Sequence, residues 1–123
     1  MRISAAESEI LKVLWQENGP VPAERVVALL GAHQPWSAGT VRTFLARLMR
    51  KKVVAAQREG RRYLYRPLLS RADYVHRESR NLIDRFFNGR VAPFVTQFSE
   101  RQRLSKKEIN ELKALIKELE RDV

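Results

Sequence analysis

Three features of this 123-residue chain predict a mainly α fold with one small β-hairpin. Apolar residues recur at three- and four-residue spacing over most of the length, the period of amphipathic helices. One alternating segment surrounds Glu59-Gly60 and has the form of two short strands joined by a turn. Serines followed three residues later by an acid, Ser4 with Glu7, Ser70 with Asp73 and Ser105 with Glu108, mark helix starts. In such a box the hydroxyl and the carboxylate each satisfy a backbone amide that the helix leaves free. The order of these elements predicts a winged helix-turn-helix over residues 1–68, followed by a helical dimerisation region over residues 69–123.

The first helix is expected over residues 4–17, with Ile10, Leu11, Val13 and Leu14 on its buried face and Asn18-Gly19-Pro20 ending it. Trp15, near its end, is read as core rather than interface. A short second helix over residues 22–30 has Pro22 at its first position and Val26, Val27, Leu29 and Leu30 on its apolar face. Residues 31–36 form a linker, and Ser37 is the next cap.

The third helix, residues 37–52, carries the central inference. Val41, Phe44, Leu45, Leu48 and Met49 make an apolar stripe, which leaves Thr40, Arg42, Thr43, Arg47 and Arg50 on the rest of the surface. A helix that enters a major groove needs this division, one face to hold it to its scaffold and one to meet base edges and phosphates. Thr40, Arg42 and Thr43 lie early, where such helices touch bases. Arg42 suits a bidentate contact to guanine, and the Thr43 methyl suits thymine. Ser37, Arg47, Arg50 and Lys51 suit the DNA backbone.

Strands over residues 53–58 and 61–66 then make the wing, with Arg61 and Arg62 at its tip directed to the sugar-phosphate backbone. One small hairpin is barely stable alone, so Val54, Tyr63 and Tyr65 are expected to pack it on the helices. From residue 37 to residue 66 nine basic residues (Arg42, Arg47, Arg50, Lys51, Lys52, Arg58, Arg61, Arg62 and Arg66) face one acid, Glu59. That is +8 of the chain's +10. A field so concentrated attracts a polyanion, and counterion release drives the binding. Double-stranded DNA is the partner this predicts.

Residues 69–123 hold twelve basic and nine acidic residues, only +3, and are a poor DNA surface. Three helices are expected there, with a break at Asn88-Gly89. Their apolar residues, Phe86, Phe87, Phe94, Phe98, Ile109, Leu112 and Ile116, are expected to be covered by a second copy of the chain. A homodimer suits a DNA reader of this size, because two-fold symmetry lengthens the site.

Other classes fit less well. With no cysteine the chain has no disulfide, thiolate metal site or cysteine nucleophile. His33 and His76 are the only histidines, far apart and without ligand spacing, and no phosphate loop or nucleophile elbow occurs. No enzyme activity, cofactor or metal is therefore expected. Neither a signal peptide nor a membrane span is read, and a cytoplasmic protein is the expectation. An RNA-binding or protein-interaction winged helix and a non-specific architectural DNA binder remain as alternatives.

Several stretches carry a resemblance: Ser4-Ala5-Ala6-Glu7-Ser8-Glu9-Ile10-Leu11-Lys12-Val13-Leu14-Trp15; Trp36-Ser37 leading into Thr40-Val41-Arg42-Thr43 and Leu45-Ala46-Arg47-Leu48; Gly60-Arg61-Arg62-Tyr63-Leu64-Tyr65; and Leu104-Ser105 with Glu108-Ile109 and Glu111-Leu112. In this order the chain resembles the penicillinase-repressor family, the regulators of beta-lactamase and methicillin resistance that also include copper-responsive members. The resemblance implies a dimeric repressor that binds an inverted repeat and blocks transcription, with the opening of the third helix reading the half-site. Family members often have Pro-Lys where this chain has Ala38-Gly39, which removes one DNA contact. In the resistance repressors a membrane-bound, beta-lactam-sensing zinc protease triggers cleavage at an Asn-Phe bond. The matching place here is Gln97-Phe98, so a sensor protease is a partner implied by resemblance alone. The copper-responsive members have a C-terminal cysteine cluster, and its absence excludes copper sensing by that route.

Overall fold

A computed structural model describes residues 2–122. Along the chain run α1 (Ala5–Gln16), α2 (Ala23–Leu30), a 3-10 turn (Gly31–His33), α3 (Ala38–Arg50), β1 (Val54–Glu59), β2 (Arg62–Pro67), α4 (Arg71–Phe87), α5 (Val91–Arg101) and α6 (Lys106–Arg121). The chain divides into two compact units, one ending at Arg77 and one beginning at Glu78. The mainly helical fold with one hairpin is as the sequence predicts.

The first unit is built on α1, α2 and α3, each packed on the other two. Ile10, Leu11, Val26, Val41, Leu45 and Leu48 are completely or almost completely removed from solvent. Each contributes roughly 1.5–3 kcal/mol through burial. Two residues expected on this core are not in it. Leu29 is 41% exposed and Met49 is 40% exposed, because the buried stripes of α2 and α3 are each narrower than three- and four-residue spacing alone suggests. Pro22 is the residue before α2, in extended conformation, rather than the first of its helical residues.

At the end of α3 the chain turns through Lys52, whose φ is +62°. Val53 N–H donates to Leu48 O at 3.1 Å and Lys52 N–H to Met49 O at 3.0 Å, the paired bonds of a left-handed helix stop. This stop sends the chain directly into β1. The hairpin is antiparallel with Glu59 opposite Arg62, so the turn is the two residues Gly60-Arg61. Gly60 has φ +64°, a conformation that glycine adopts without strain and that two-residue hairpins require at their first turn position.

The wing is fastened by a contact that periodicity does not reveal. Val21 pairs with Tyr65 through two backbone hydrogen bonds, of 3.0 and 2.8 Å, adding a one-residue third strand at the base of the hairpin. Val54 and Leu64 are buried and Tyr65 packs on the core. Tyr63, expected to pack beside Tyr65, is 50% exposed, since it lies closer to the wing tip and beyond the helices. Trp15 packs against the core, and its indole N–H donates to Leu69 O at 2.8 Å. It also meets Tyr74 at a ring separation of 5.5 Å, so the first turn of α4 belongs with the first unit.

In the second unit α5 and α6 bury none of their residues. Ser105 caps α6 by accepting from Glu108 N–H at 3.1 Å. Asn88 and Gly89 both take positive φ, which ends α4 where the sequence predicts a break. Phe87 and Phe94 meet edge to face at 5.6 Å.

Glu7 is the one strongly buried acid of the first unit, with 1% of its surface exposed. Its Oε1 accepts from Ser4 N–H at 2.8 Å, completing the box at the start of α1, and from Lys51 Nζ at 2.6 Å. Burial alone would raise its pKa; the bonds from Lys51 and Ser4 outweigh it and hold the carboxyl below its usual 4.5. A lowered folded pKa means that the contribution is complete above pH 4.5 and is lost as pH falls further. Glu7→Gln should therefore cost about 1.5–3 kcal/mol at pH 7, and the gap from the parent protein should narrow progressively below that pH window. Urea unfolding of both proteins at neutral and acid pH checks this; a gap independent of pH would contradict it.

Candidate nucleic-acid interface

The polar surface of α3 is organised from its first residue. Ser37 Oγ accepts from Thr40 N–H and donates to Thr40 Oγ1, both at 3.2 Å, so the two side chains form one capped start. Thr43 Oγ1 donates to Gly39 O at 3.1 Å. The hydroxyl is thus turned back onto its own helix, and the methyl is the free group. Gly39, Thr43 and Ala46 are exposed and small, and Arg47 and Arg50 are exposed further along. Arg47 lies over the Phe44 ring at 5.6 Å, and Phe44 meets Trp36 in a tilted contact at 4.9 Å.

Arg42 does not stand free. Its Nη2 donates to Glu24 Oε1 of α2 at 2.5 Å, and both side chains remain more than half exposed. Burial raises the pKa of the Tyr65 phenol, and the charges of Arg42 and Glu24 both reach it. The base of the wing, α2 and the first turns of α3 thus meet around Arg42.

On the wing, Arg61 and Arg62 are exposed at and beside the turn, as expected. Arg58 Nε donates to Gly60 O at 3.1 Å, and its guanidinium lies 5.9 Å from the Tyr63 ring centre. Lys51, expected at the DNA backbone, is directed elsewhere. Its Nζ donates to Arg2 O at 2.7 Å and to the buried Glu7, so this charge holds the core and is not offered to a ligand. In a run of basic residues nothing local distinguishes it, because its partner lies 44 positions away.

Glu24 is the residue that sequence reasoning missed. It stands in the first turn of a helix whose relation to α3 is set by packing alone. The candidate dimer residues lie in the other helices: Phe86 (65% exposed), Phe94, Phe98, Ile109 and Ile116 are exposed, and Phe87 and Leu112 are half-buried. Gln97 and Phe98 are exposed within α5. Among the described residues no cluster of His, Asp or Glu has the form of a metal site, and no helix is long and apolar enough to cross a membrane.

Known proteins resemble this chain over most of its length. A penicillinase repressor of Bacillus licheniformis is 35% identical over 117 residues, which is 95% of this chain and 91% of the relative. The methicillin resistance regulatory protein MecI of Mammaliicoccus sciuri is 27% identical over 114 residues, 93% of this chain and 92% of that protein. Among solved structures, the DNA-binding domain of the repressor BlaI is 34% identical and superposes with a TM-score of 0.53, covering 59% of this chain and 88% of that domain. The Bacillus licheniformis BlaI monomeric form, solved in complex with the blaP half-operator, gives 34% identity and a TM-score of 0.51 over 60% of this chain and 89% of that one. The family profile of the penicillinase repressors matches residues 3–118, and the chain belongs to that family.

Proposed function

We propose that this protein is a DNA-binding transcriptional repressor that acts as a homodimer on an inverted-repeat operator, with α3 in the major groove and the wing on the backbone. The observation that carries the reading is the division of α3. Val41, Leu45 and Leu48 are fully buried, while its outer line is small or basic and begins beside an exposed arginine. A groove floor admits such a helix closely, with Arg42 toward a guanine edge and the Thr43 methyl toward thymine. Thr40 and Ser37 are fixed at the cap, where a helix N-terminus meets phosphate. Arg47, Arg50, Arg61 and Arg62 supply further phosphate contacts. The BlaI relative solved with a half-operator supports DNA as the ligand class.

Dimerisation follows from the exposed Phe86, Phe94, Phe98, Ile109 and Ile116, an apolar surface that a second copy would cover. Release of repression through cleavage at Gln97-Phe98 is the family's route carried over by resemblance. The competing reading is single-stranded RNA, for which exposed Tyr63 under Arg58 offers a stacking face. Competition of duplex DNA against single-stranded RNA at one salt concentration separates the two. Duplex is expected to win, and preference for RNA would overturn the assignment.

Arg42→Ala is expected to weaken binding to the preferred duplex by about 1–3 kcal/mol and to relax one base position, whereas Arg61→Ala should weaken all duplexes alike. Equal, sequence-independent losses in both would contradict the assignment of base contacts. At Gly39 an added Cβ meets only Ser37 Oγ at 3.7 Å, an ordinary contact. Gly39→Lys should therefore fold, bind DNA more tightly and steepen the salt dependence by about one unit of log-log slope, read from titrations over a salt series. A fragment of residues 1–77 should sediment as a monomer and bind a full operator much more weakly than the intact chain; a dimeric fragment of undiminished affinity would refute the C-terminal dimer.

A further inference from the structure

We propose that Glu24 is a specificity-determining residue of the DNA interface, its carboxylate buttressing Arg42 so that the guanidinium meets a guanine edge in one fixed orientation. The inference rests on the DNA-reading assignment of α3 and adds to it a residue from a different helix. Its starting point is an anomaly of charge. Between residues 37 and 66 the only acid is Glu59, yet α2 brings a second carboxylate against the first turns of α3. A hydrogen bond from its own backbone amide, opposed by slight desolvation, and then the charges of Arg42 and Arg62 hold the Glu24 carboxyl below its usual range. It is therefore an anion at neutral pH, bonded to Arg42 on the surface that is to meet a polyanion.

Stability does not account for such a pair. Both side chains are more than half exposed, and exposed ion pairs contribute little to folding. Its consequence for binding is larger. A free arginine samples many rotamers and has to be ordered when it meets a base, whereas one held by a carboxylate is ordered beforehand. The bond uses one N–H of Nη2, and the second N–H of that nitrogen, with those of Nε and Nη1 in the same plane, is left to donate to a base. Meanwhile the carboxylate repels phosphate whatever the sequence. Affinity for unrelated DNA falls, and only a duplex with a guanine in the right place recovers the loss, which is how a repulsive element produces discrimination.

The test compares the intact protein with Glu24→Gln, Arg42→Ala and the double variant, all as full chains at one salt concentration. Dissociation constants are measured for the duplex that the parent protein binds best and for a scrambled duplex of equal length. Glu24→Gln is expected to bind the scrambled duplex more tightly, to reduce the ratio of the two constants by about 2- to 12-fold, and to lose preference at one base pair per half-site. With Arg42 already replaced, the same change should leave the ratio unaltered. Equal tightening on both duplexes would reduce Glu24 to a plain repulsive charge and overturn the proposal. A fall in ratio that persists in the Arg42→Ala background would overturn it too, because Glu24 would then act through another group. If the parent protein itself distinguishes no duplex from its scramble, the DNA-reading assignment fails first and this inference falls with it.

Discussion

Val41, Leu45 and Leu48 have no exposed surface, and the outward side of α3 is free to be polar only because these three hold the helix down. Polar and basic side chains cannot position a helix by themselves; in water they gain as much from solvent as from neighbours. The apolar stripe supplies the position, and the hydrophobic faces of α1 and α2 supply the seat. At one end of α3 the Ser37 cap fixes where the helix begins. At the other, Lys51 reaches back to Glu7 and Lys52 turns the chain into the wing. Helix and wing are thereby joined within one packed unit, from which residues 37 to 66 present their exposed basic side chains.

The wing illustrates how little local sequence needs to specify when a scaffold is present. Two strands of six residues are marginal in isolation. Here the pair Val21-Tyr65 extends the sheet, Leu64 and Val54 are buried beneath it, and the arginines at the turn are left in solvent. The second unit has a different balance. Its helices are capped and regular, but they carry Phe86, Phe98, Leu115, Ile116 and Leu119 on exposed surface. In the proposed dimer that surface is the energetic basis of association, and the first unit's basic face is duplicated by symmetry.

What the sequence made legible was what is encoded within a few residues. Caps at Ser4, Ser37, Ser70 and Ser105, the glycine at the hairpin turn and the break at Asn88-Gly89 each depend on side chains or backbone preferences close by. The errors have the opposite character. Met49 lies at the right spacing for the core but at its margin, and Tyr63 alternates correctly but past the reach of the helices. Lys51 belongs to a basic run in sequence and to Glu7 in space. The bond between Glu24 and Arg42 depends on how α2 crosses α3, a matter of packing that no periodicity reports. Within the candidate interface, therefore, composition identified the basic face, and tertiary contacts decided which of its charges remain available.

The measurement that bears most directly on the central claim is recovery of bound duplexes from a random DNA pool with the intact protein, followed by inspection of the recovered sequences for two-fold symmetry. A dimer of the winged units, each placing α3 in a major groove, predicts a palindrome whose half-sites lie about 10 bp apart between centres or at a multiple of that turn. Recovery without a common motif would contradict sequence-specific reading by α3 and leave the basic face as a general polyanion surface.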